Sequence, residues 1–266
     1  MAEAELRHQI EAARAYEALF VPAIFGQWAA KVAEAADIQP GHKVLDVACG
    51  TGALARAAAS RVGSGGQVTG LDLNPGMLAV AGELAPEIEW TQGDAGGLPF
   101  NDDVFDVVAS NFGLMFFPNR QAAIGEMLRV LKPGGRLVVA VWDTLENTPA
   151  YATAVATLAR IAGEAAADAL RAPFVLGERS ILRDLFTQAD KLEITTHSGP
   201  ARFPSIAVMV EADLRGWLPV MGVHLEESQI QVILEEAEKA LQTYRKPDGT
   251  IEFNSPAHIV VAHKPG

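Results

Sequence analysis

Between residues 41 and 143 short apolar runs alternate with helical stretches, and this alternation limits the fold more than any other feature. Val44–Ala48, Gln67–Leu71, Ile88–Gln92, Asp103–Ala109 and Arg136–Trp142 read as strands. Helices fill the gaps: Ala53 to about Arg61, one opened by Asn74-Pro75, and Gln121–Leu131. The strands are apolar along most of their length rather than at every second residue. Such strands are parallel and buried under helices on both faces.

Residues outside this block are helix-rich. Ile10, Ala13, Tyr16 and Phe20 recur at helical spacing, and Pro22 reads as the start of a second helix carrying Ile24, Phe25, Trp28 and Val32. After Asp143, helices are expected over 148–170, 178–189, 205–217 and 226–244, with a sixth strand at Lys191–His197. A late strand at Ala257–Ala262 is expected to pair with a run near Ile251–Phe253. The expected organisation is an N-terminal helical lid over 1–38 and a core over 39–266. Helical insertions at about 146–175 and 204–246 would add to the lid.

Composition excludes several classes. Lys and Arg number 21 against 33 Asp and Glu, a net charge of −12, which argues against nucleic acid as a partner. No stretch reaches the roughly 18 apolar residues of a membrane span. The start, Met-Ala-Glu-Ala-Glu, lacks the pattern of a signal peptide, so a cytoplasmic location is expected. Cys49 is the single cysteine and reads as a small buried hydrophobe. The six histidines show no paired metal spacing, and no metal site is expected. Nothing in the sequence sets an oligomeric state.

Gly50-x-Gly52-x-x-Ala55 joins the first strand to its helix. Glycine there lets backbone approach a ligand at a helix N-terminus, where free N–H groups and a partial positive charge gather. Asp72, 20 residues after Gly52, stands where a carboxylate accepts from two ribose hydroxyls. A nicotinamide dinucleotide and an adenosyl ligand are served equally by this pair. Three features separate them. Asp46 puts an acid inside the first strand, where a dinucleotide enzyme normally has an apolar residue. Asp94 puts a carboxylate after the third strand, within reach of an adenine amine. Ser110-Asn111-Phe112 ends the fourth strand with polar groups at the switch point.

Val44–Gly52, Leu71–Leu78, Gln92–Phe100, Phe105–Phe117 and Met127–Asp143 together resemble the motifs of class I S-adenosylmethionine-dependent methyltransferases, in order and spacing. The resemblance is to the ubiquinone/menaquinone-type (methyltransferase type 11) small-molecule group and covers about residues 40–143. It implies a Rossmann-like α/β fold: a seven-stranded, mostly parallel sheet with the last strand antiparallel, helices on both faces and a helical lid. It also implies roles. Gly50 and Gly52 pass under the methionyl part of S-adenosyl-L-methionine, and Asp46 supports its ammonium. Asp72 holds the ribose. Met77 packs on adenine, a contact a core methionine makes equally well. Asp94 and the Ala95 N–H meet the adenine edge. Asn111 lends its backbone carbonyl to the ammonium, and Phe112 lies near the sulfonium.

The expected acceptor is a small hydrophobic or aromatic molecule, with Tyr16, Phe20, Phe25, Trp28, Met115 and Trp142 as its contacts; each serves equally well as lid packing. Asp143 and His224 are the candidates for a general base. Three readings stand beside methyl transfer. One is a noncatalytic or partner-activated module that binds the same cofactor. Another is a nicotinamide oxidoreductase, which lacks a Tyr-x-x-x-Lys pair here. The last is an RNA methyltransferase, disfavoured by the charge and by Ser110-Asn111-Phe112-Gly113 in place of an Asn/Asp-Pro-Pro-Tyr/Phe sequence.

Overall fold

The computed structural model describes residues 2–266, which form two compact units. The first comprises 2–141, 178–197 and 258–266; the second comprises 142–177 and 198–257.

The chain enters the first unit through α1 (Ala2–Phe20) and α2 (Gly26–Ala35), joined by a π-helical turn over Val21–Phe25. Pro22 therefore does not start a helix, contrary to expectation. Proline has no N–H for the preceding turn, and the backbone widens so that Gly26 N–H reaches Val21 O. The sheet follows with β1 (Lys43–Val47), α3 (Ala53–Val62), β2 (Gln67–Asp72), α4 (Pro75–Leu84), β3 (Glu89–Gln92), β4 (Phe105–Asn111), α5 (Arg120–Val130) and β5 (Leu131–Trp142). Asn74 and Asn119 cap α4 and α5 by accepting backbone N–H bonds from the first turn. α6 (Pro149–Ala162) and α7 (Glu164–Arg171) belong to the second unit; α8 (Arg179–Leu185) and β6 (Asp190–His197) return to the first.

The second unit continues with β7 (Pro200–Phe203), α9 (Ile206–Glu211), a π-helical turn over Ala212–Trp217, α10 (Leu218–Val220), α11 (Glu227–Ala240) and β8 (Ile251–Asn254). The last strand is β9 (Ala257–His263). The large sheet has seven strands in the order β3-β2-β1-β4-β5-β9-β6. β1 to β5 pair in parallel. Right-handed crossovers then place α3 and α4 on one face and α5 on the other. β9 runs against β5: Lys264 bonds Gly134 and Gly135, whereas Asp143 bonds Pro256.

The expected pairing of β8 with the late strand is not found. β8 pairs antiparallel with β7 in a separate two-stranded sheet, while β9 inserts between β5 and β6. Leu45, Val47, Val107, Val108 and 137–141 are fully buried, as strands covered on both faces must be. Of the expected lid over 1–38, the described residues 2–38 fall in the sheet unit, and both later insertions fall in the second unit. No described helix is long and apolar enough to cross a membrane.

Candidate functional site

The first four strands of the first unit bring the motif residues to one edge. Asp46 pairs across to Gly70 of β2 and Ala109 of β4, so β1 and β4 end side by side. Both ends are strained. Ala48 has φ 58° and Phe112 has φ 61°, in the left-handed region that non-glycine residues seldom occupy. Gly113 makes room for this, since a Cβ on it would lie 2.7 Å from Ala48 Cβ.

Asp46 is 1% exposed, and neither carboxylate oxygen makes a hydrogen bond of good geometry among the described residues, although the Ala55 backbone N–H lies close enough to act on the carboxyl. Burial pushes its carboxyl up to about 8, and the neighbouring Asp72 acts in the same direction. Ser110 Oγ and Asn111 Oδ1, at the end of β4, are likewise buried and unpartnered. Buried polar atoms are nearly always paired, so this group of orphans marks a place for a polar ligand.

Asp72 braces the glycine loop. Its Oδ2 accepts from Gly50 N–H at 2.8 Å and its Oδ1 from Asn74 N–H at 2.9 Å. Burial raises its carboxyl above the usual range, and these N–H groups pull it back down. Gly50 and Gly52 have φ of 55° and 85°. A Cβ on Gly52 would sit 2.4 Å from the Trp90 ring. Gly52→Ala should therefore destabilise the protein by about 2–4 kcal/mol, from strain plus overpacking, measured by urea unfolding.

Gly93 N–H bonds Asp72 O at 3.1 Å, which sets the third motif beside the second. Ala95 is buried. Asp94 is exposed, and its Oδ1 accepts from Gly96 N–H at 2.7 Å, so it braces its own turn. Met77 is half-buried on α4. Leu73 was not anticipated from sequence. It is a large apolar side chain left 66% exposed directly after Asp72.

The N-terminal helices roof this edge. Tyr16 stacks on Phe25 at 5.4 Å, Phe25 meets Phe112 at 5.5 Å, and Trp28 meets Phe112 edge-on at 6.0 Å. Phe20 lies 5.9 Å from Tyr16. Met115 is buried just beyond. Burial raises the Tyr16 phenol well above its usual range, with Asp72, Glu17 and Asp46 adding to the effect.

A polar clamp, also missed from sequence, fastens α1 to the glycine loop. Glu17 accepts from Thr51 Oγ1 at 2.5 Å and from Arg56 Nη2 at 2.8 Å, while Arg56 Nη1 donates to Thr51 O at 2.6 Å. Its one visible trace was Arg56, the only charge in the small-residue run 53–60. Glu17→Ala should weaken binding at this edge about three- to tenfold in calorimetry by loosening the roof.

Trp142 and the two candidate bases belong to the second unit. Trp142 is buried at the end of β5. Both Asp143 oxygens brace a turn, accepting from Thr144 N–H at 2.7 Å and Asn147 Nδ2 at 3.0 Å. His224 is exposed on the loop before α11. No group of three metal-ligating side chains occurs among the described residues.

Comparison with known proteins agrees with this architecture. The structure of the YcgJ protein from Bacillus subtilis is similar over 90% of this chain and 99% of its own, with a TM-score of 0.58 and 20% identity. A putative methyltransferase from Bacillus halodurans aligns over the same shares with a TM-score of 0.57 and 22% identity. At such identity the likeness speaks to fold. In sequence the chain is 43% identical to a ubiquinone/menaquinone biosynthesis C-methyltransferase of Paraburkholderia phymatum, over 45% of this chain and 53% of that protein. It is 46% identical to a demethylmenaquinone methyltransferase of Staphylococcus epidermidis, over 42% of this chain and 47% of that protein. The chain thus spans about half the length of the curated relatives it matches. The family model of the ubiE/COQ5 methyltransferases matches residues 16–166, more than half of the sequence, from the roof aromatics through the glycine loop and β5. The glycine loop, the two aspartates and this match together show that the chain belongs to the ubiE/COQ5 methyltransferase family.

Proposed function

We propose that this protein transfers a methyl group from S-adenosyl-L-methionine to a small apolar, aromatic acceptor. The observation that carries the reading is Asp46, with both oxygens buried and unpartnered beside the glycine loop. A buried carboxylate suits the ammonium of a methionyl group. The pyrophosphate that a dinucleotide would lay against the same loop offers this carboxyl no charge to pair with and opposes its ionisation. This favours the methyl-transfer reading over the oxidoreductase one.

The residues present fit the cofactor. Asp46 and the Asn111 backbone carbonyl would face the ammonium, and Asp72 would hold the ribose hydroxyls. Leu73 and Met77 would flank the adenine, with Asp94 and Ala95 at its edge. When bound, the cofactor supplies a methyl already activated by the sulfonium. The chain's own task is then to hold the acceptor nucleophile in line and to exclude water, and orientation of this kind lowers a barrier by about 7–11 kcal/mol in well-arranged cases. Tyr16, Phe20, Phe25, Trp28 and Phe112 would supply a dry wall for that purpose. The N-terminal helices act in this reading as a lid.

The family match ends at residue 166, and much of the second unit lies beyond it. Acceptor identity is therefore a separate question from cofactor identity. The quinone precursors named for the relatives are the first acceptors to try. The test is calorimetry with S-adenosylmethionine, S-adenosylhomocysteine and NAD, followed by transfer of a radiolabelled methyl to reduced demethylated quinones and simple phenols. Saturable binding of both adenosyl ligands with methyl transfer supports the proposal. Binding of NAD alone would sink it. Cofactor binding with no transfer to any acceptor would leave the noncatalytic module.

A further inference from the structure

Trp90 stands on β3, the edge strand of the large sheet, yet its ring lies inward. Asp46, Gly70 and Trp90 form one row across three strands, since Asp46 pairs with Gly70 and Gly70 with Trp90. Paired residues of parallel strands point to the same face. Here that is the face on which α3 packs over β1 and β2. Neighbouring strands lie about 4.8 Å apart, which puts the Trp90 backbone about 10 Å from that of Asp46.

Gly70 leaves the space between them open, and the indole takes it. A Cβ on Gly70 would lie 2.3 Å from Trp90 Cζ3 and 3.1 Å from Cys49 Sγ. Glycine weakens a strand, and inside one it marks the close approach of another group. At the far end of the ring, Cη2 would lie 2.4 Å from a Cβ on Gly52. The six-membered ring thus runs from β3 across β2 to the glycine loop. Trp90 Nε1 donates to Ala85 O at 3.0 Å, which fixes the rotation of the ring.

This placement bears on Asp46. In its row the carboxyl has Ala109 of β4 on one side and the bare Gly70 on the other. Beyond Gly70 lies the open edge of the sheet, so the gap over Gly70 is a route for water. The indole fills it. Burial holds the Asp46 carboxyl up at about 8, and water entering by this route would hydrate the charged form and undo that effect.

We propose that Trp90 is a positioning residue of the cofactor site: its indole, laid across Gly70 and against the glycine loop, keeps water from Asp46 and so reserves the carboxyl for the ligand's ammonium. This rests on the reading of Asp46 as the partner of that ammonium. The charged and titratable groups around Asp46 come from other positions. Asp72 of β2 and Arg56 of α3 act on it, and it acts on Tyr16 of α1 and on Cys49. Glu17 of α1 holds Arg56. Trp90 carries no charge, so replacing it changes the hydration of Asp46 and removes none of these groups.

The test compares the wild type with Trp90→Ala and Trp90→Phe, each with and without Asp46→Asn. Thermal melts of the ligand-free protein from pH 4 to pH 8 report on the carboxyl without any cofactor. The part of the pH slope that Asp46→Asn abolishes belongs to Asp46. It should be present in the wild type and shrink to less than about half in Trp90→Ala, whose overall Tm also falls. Calorimetric affinity for S-adenosylhomocysteine should rise about fiftyfold from pH 6 to pH 8 in the wild type, as for a carboxyl near 8, and no more than about fivefold in Trp90→Ala. Trp90→Phe keeps a ring over Gly70 that stops short of Gly52, and should fall between the two. An Asp46-dependent slope that is missing from the wild type, or as large in Trp90→Ala as in the wild type, would overturn the proposal. So would an equally steep rise in affinity. If Trp90→Ala does not fold, Trp90→Phe decides by the same comparisons, and loss of folding in both would mark the indole as structural and overturn the proposal too. A slope that behaves as expected, with wild-type affinity independent of pH, would instead overturn the pairing of Asp46 with the ammonium.

Discussion

Asp72→Ala should weaken S-adenosylhomocysteine binding about a hundredfold or more, measured by calorimetry. Two effects combine. The variant removes the carboxylate proposed to accept from both ribose hydroxyls. It also releases Gly50 N–H and Asn74 N–H, which Asp72 holds at 2.8 and 2.9 Å. The glycine loop would then lose its brace at the point where its backbone must meet the ligand. Asp72→Asn separates the contributions, because an amide oxygen can still hold one N–H while the charge is gone. An Asp72→Ala protein that binds the cofactor as the wild type does would contradict the site as drawn.

Cofactor binding should also release a proton, and the source is Asp46. Its carboxyl is pushed up to about 8 by burial, with the Ala55 backbone N–H opposing, Asp72 raising it further and Arg56 also opposing. Asp46 in turn acts on Tyr16 and Cys49, and burial raises both of those groups as well. At pH 7 the empty site therefore holds Asp46 mostly protonated. An ammonium beside it favours the carboxylate, so binding should expel about 0.9 proton at pH 7. Affinity should rise with pH up to about 8 and then level. Calorimetric enthalpies measured in phosphate and in Tris should differ by the buffers' ionisation heats; identical enthalpies would rule the linkage out.

The same shift affects stability, with a definite sign. A carboxyl whose folded-state value lies above its unfolded one stabilises most at low pH, and that contribution is lost as pH rises through the folded value. Asp46 should thus make the protein progressively less stable from about pH 4 to about pH 8. Asp46→Asn should remove this slope and melt higher than the wild type at pH 8, while binding the cofactor at least about tenfold more weakly. Thermal melts across that range check both statements.

The two units were unequally legible. β1 to β5 and their helices follow from contiguous apolar runs, from Asn74 and Asn119 as caps, and from glycines at the turns. All of these act within a few residues. Pro22 was misread because proline favours a helix's first turn, yet a π-helical turn accommodates it between α1 and α2. β8 was given the wrong partner. Strand pairing is settled by which edges are free after the chain has folded, and β7 took β8 while β9 entered the large sheet.

The candidate site divides along the same line. Gly50, Gly52 and Asp72 could be named from spacing because a strand, a tight turn and a helix fix where they stand. Asp94 and Asp143 had equally suggestive positions, and spacing does not reveal that Asp94 Oδ1 and both Asp143 oxygens also hold their own turns. The Glu17–Thr51–Arg56 clamp joins segments 34 and 39 residues apart.

Local sequence therefore settled the sheet core and its glycine loop, since backbone geometry and capping are decided by neighbours in the chain. The tertiary structure alone decided which polar groups were left without partners. Whether a buried oxygen is satisfied depends on what distant segments bring to it, and beside the glycine loop both oxygens of Asp46 are among those left unsatisfied.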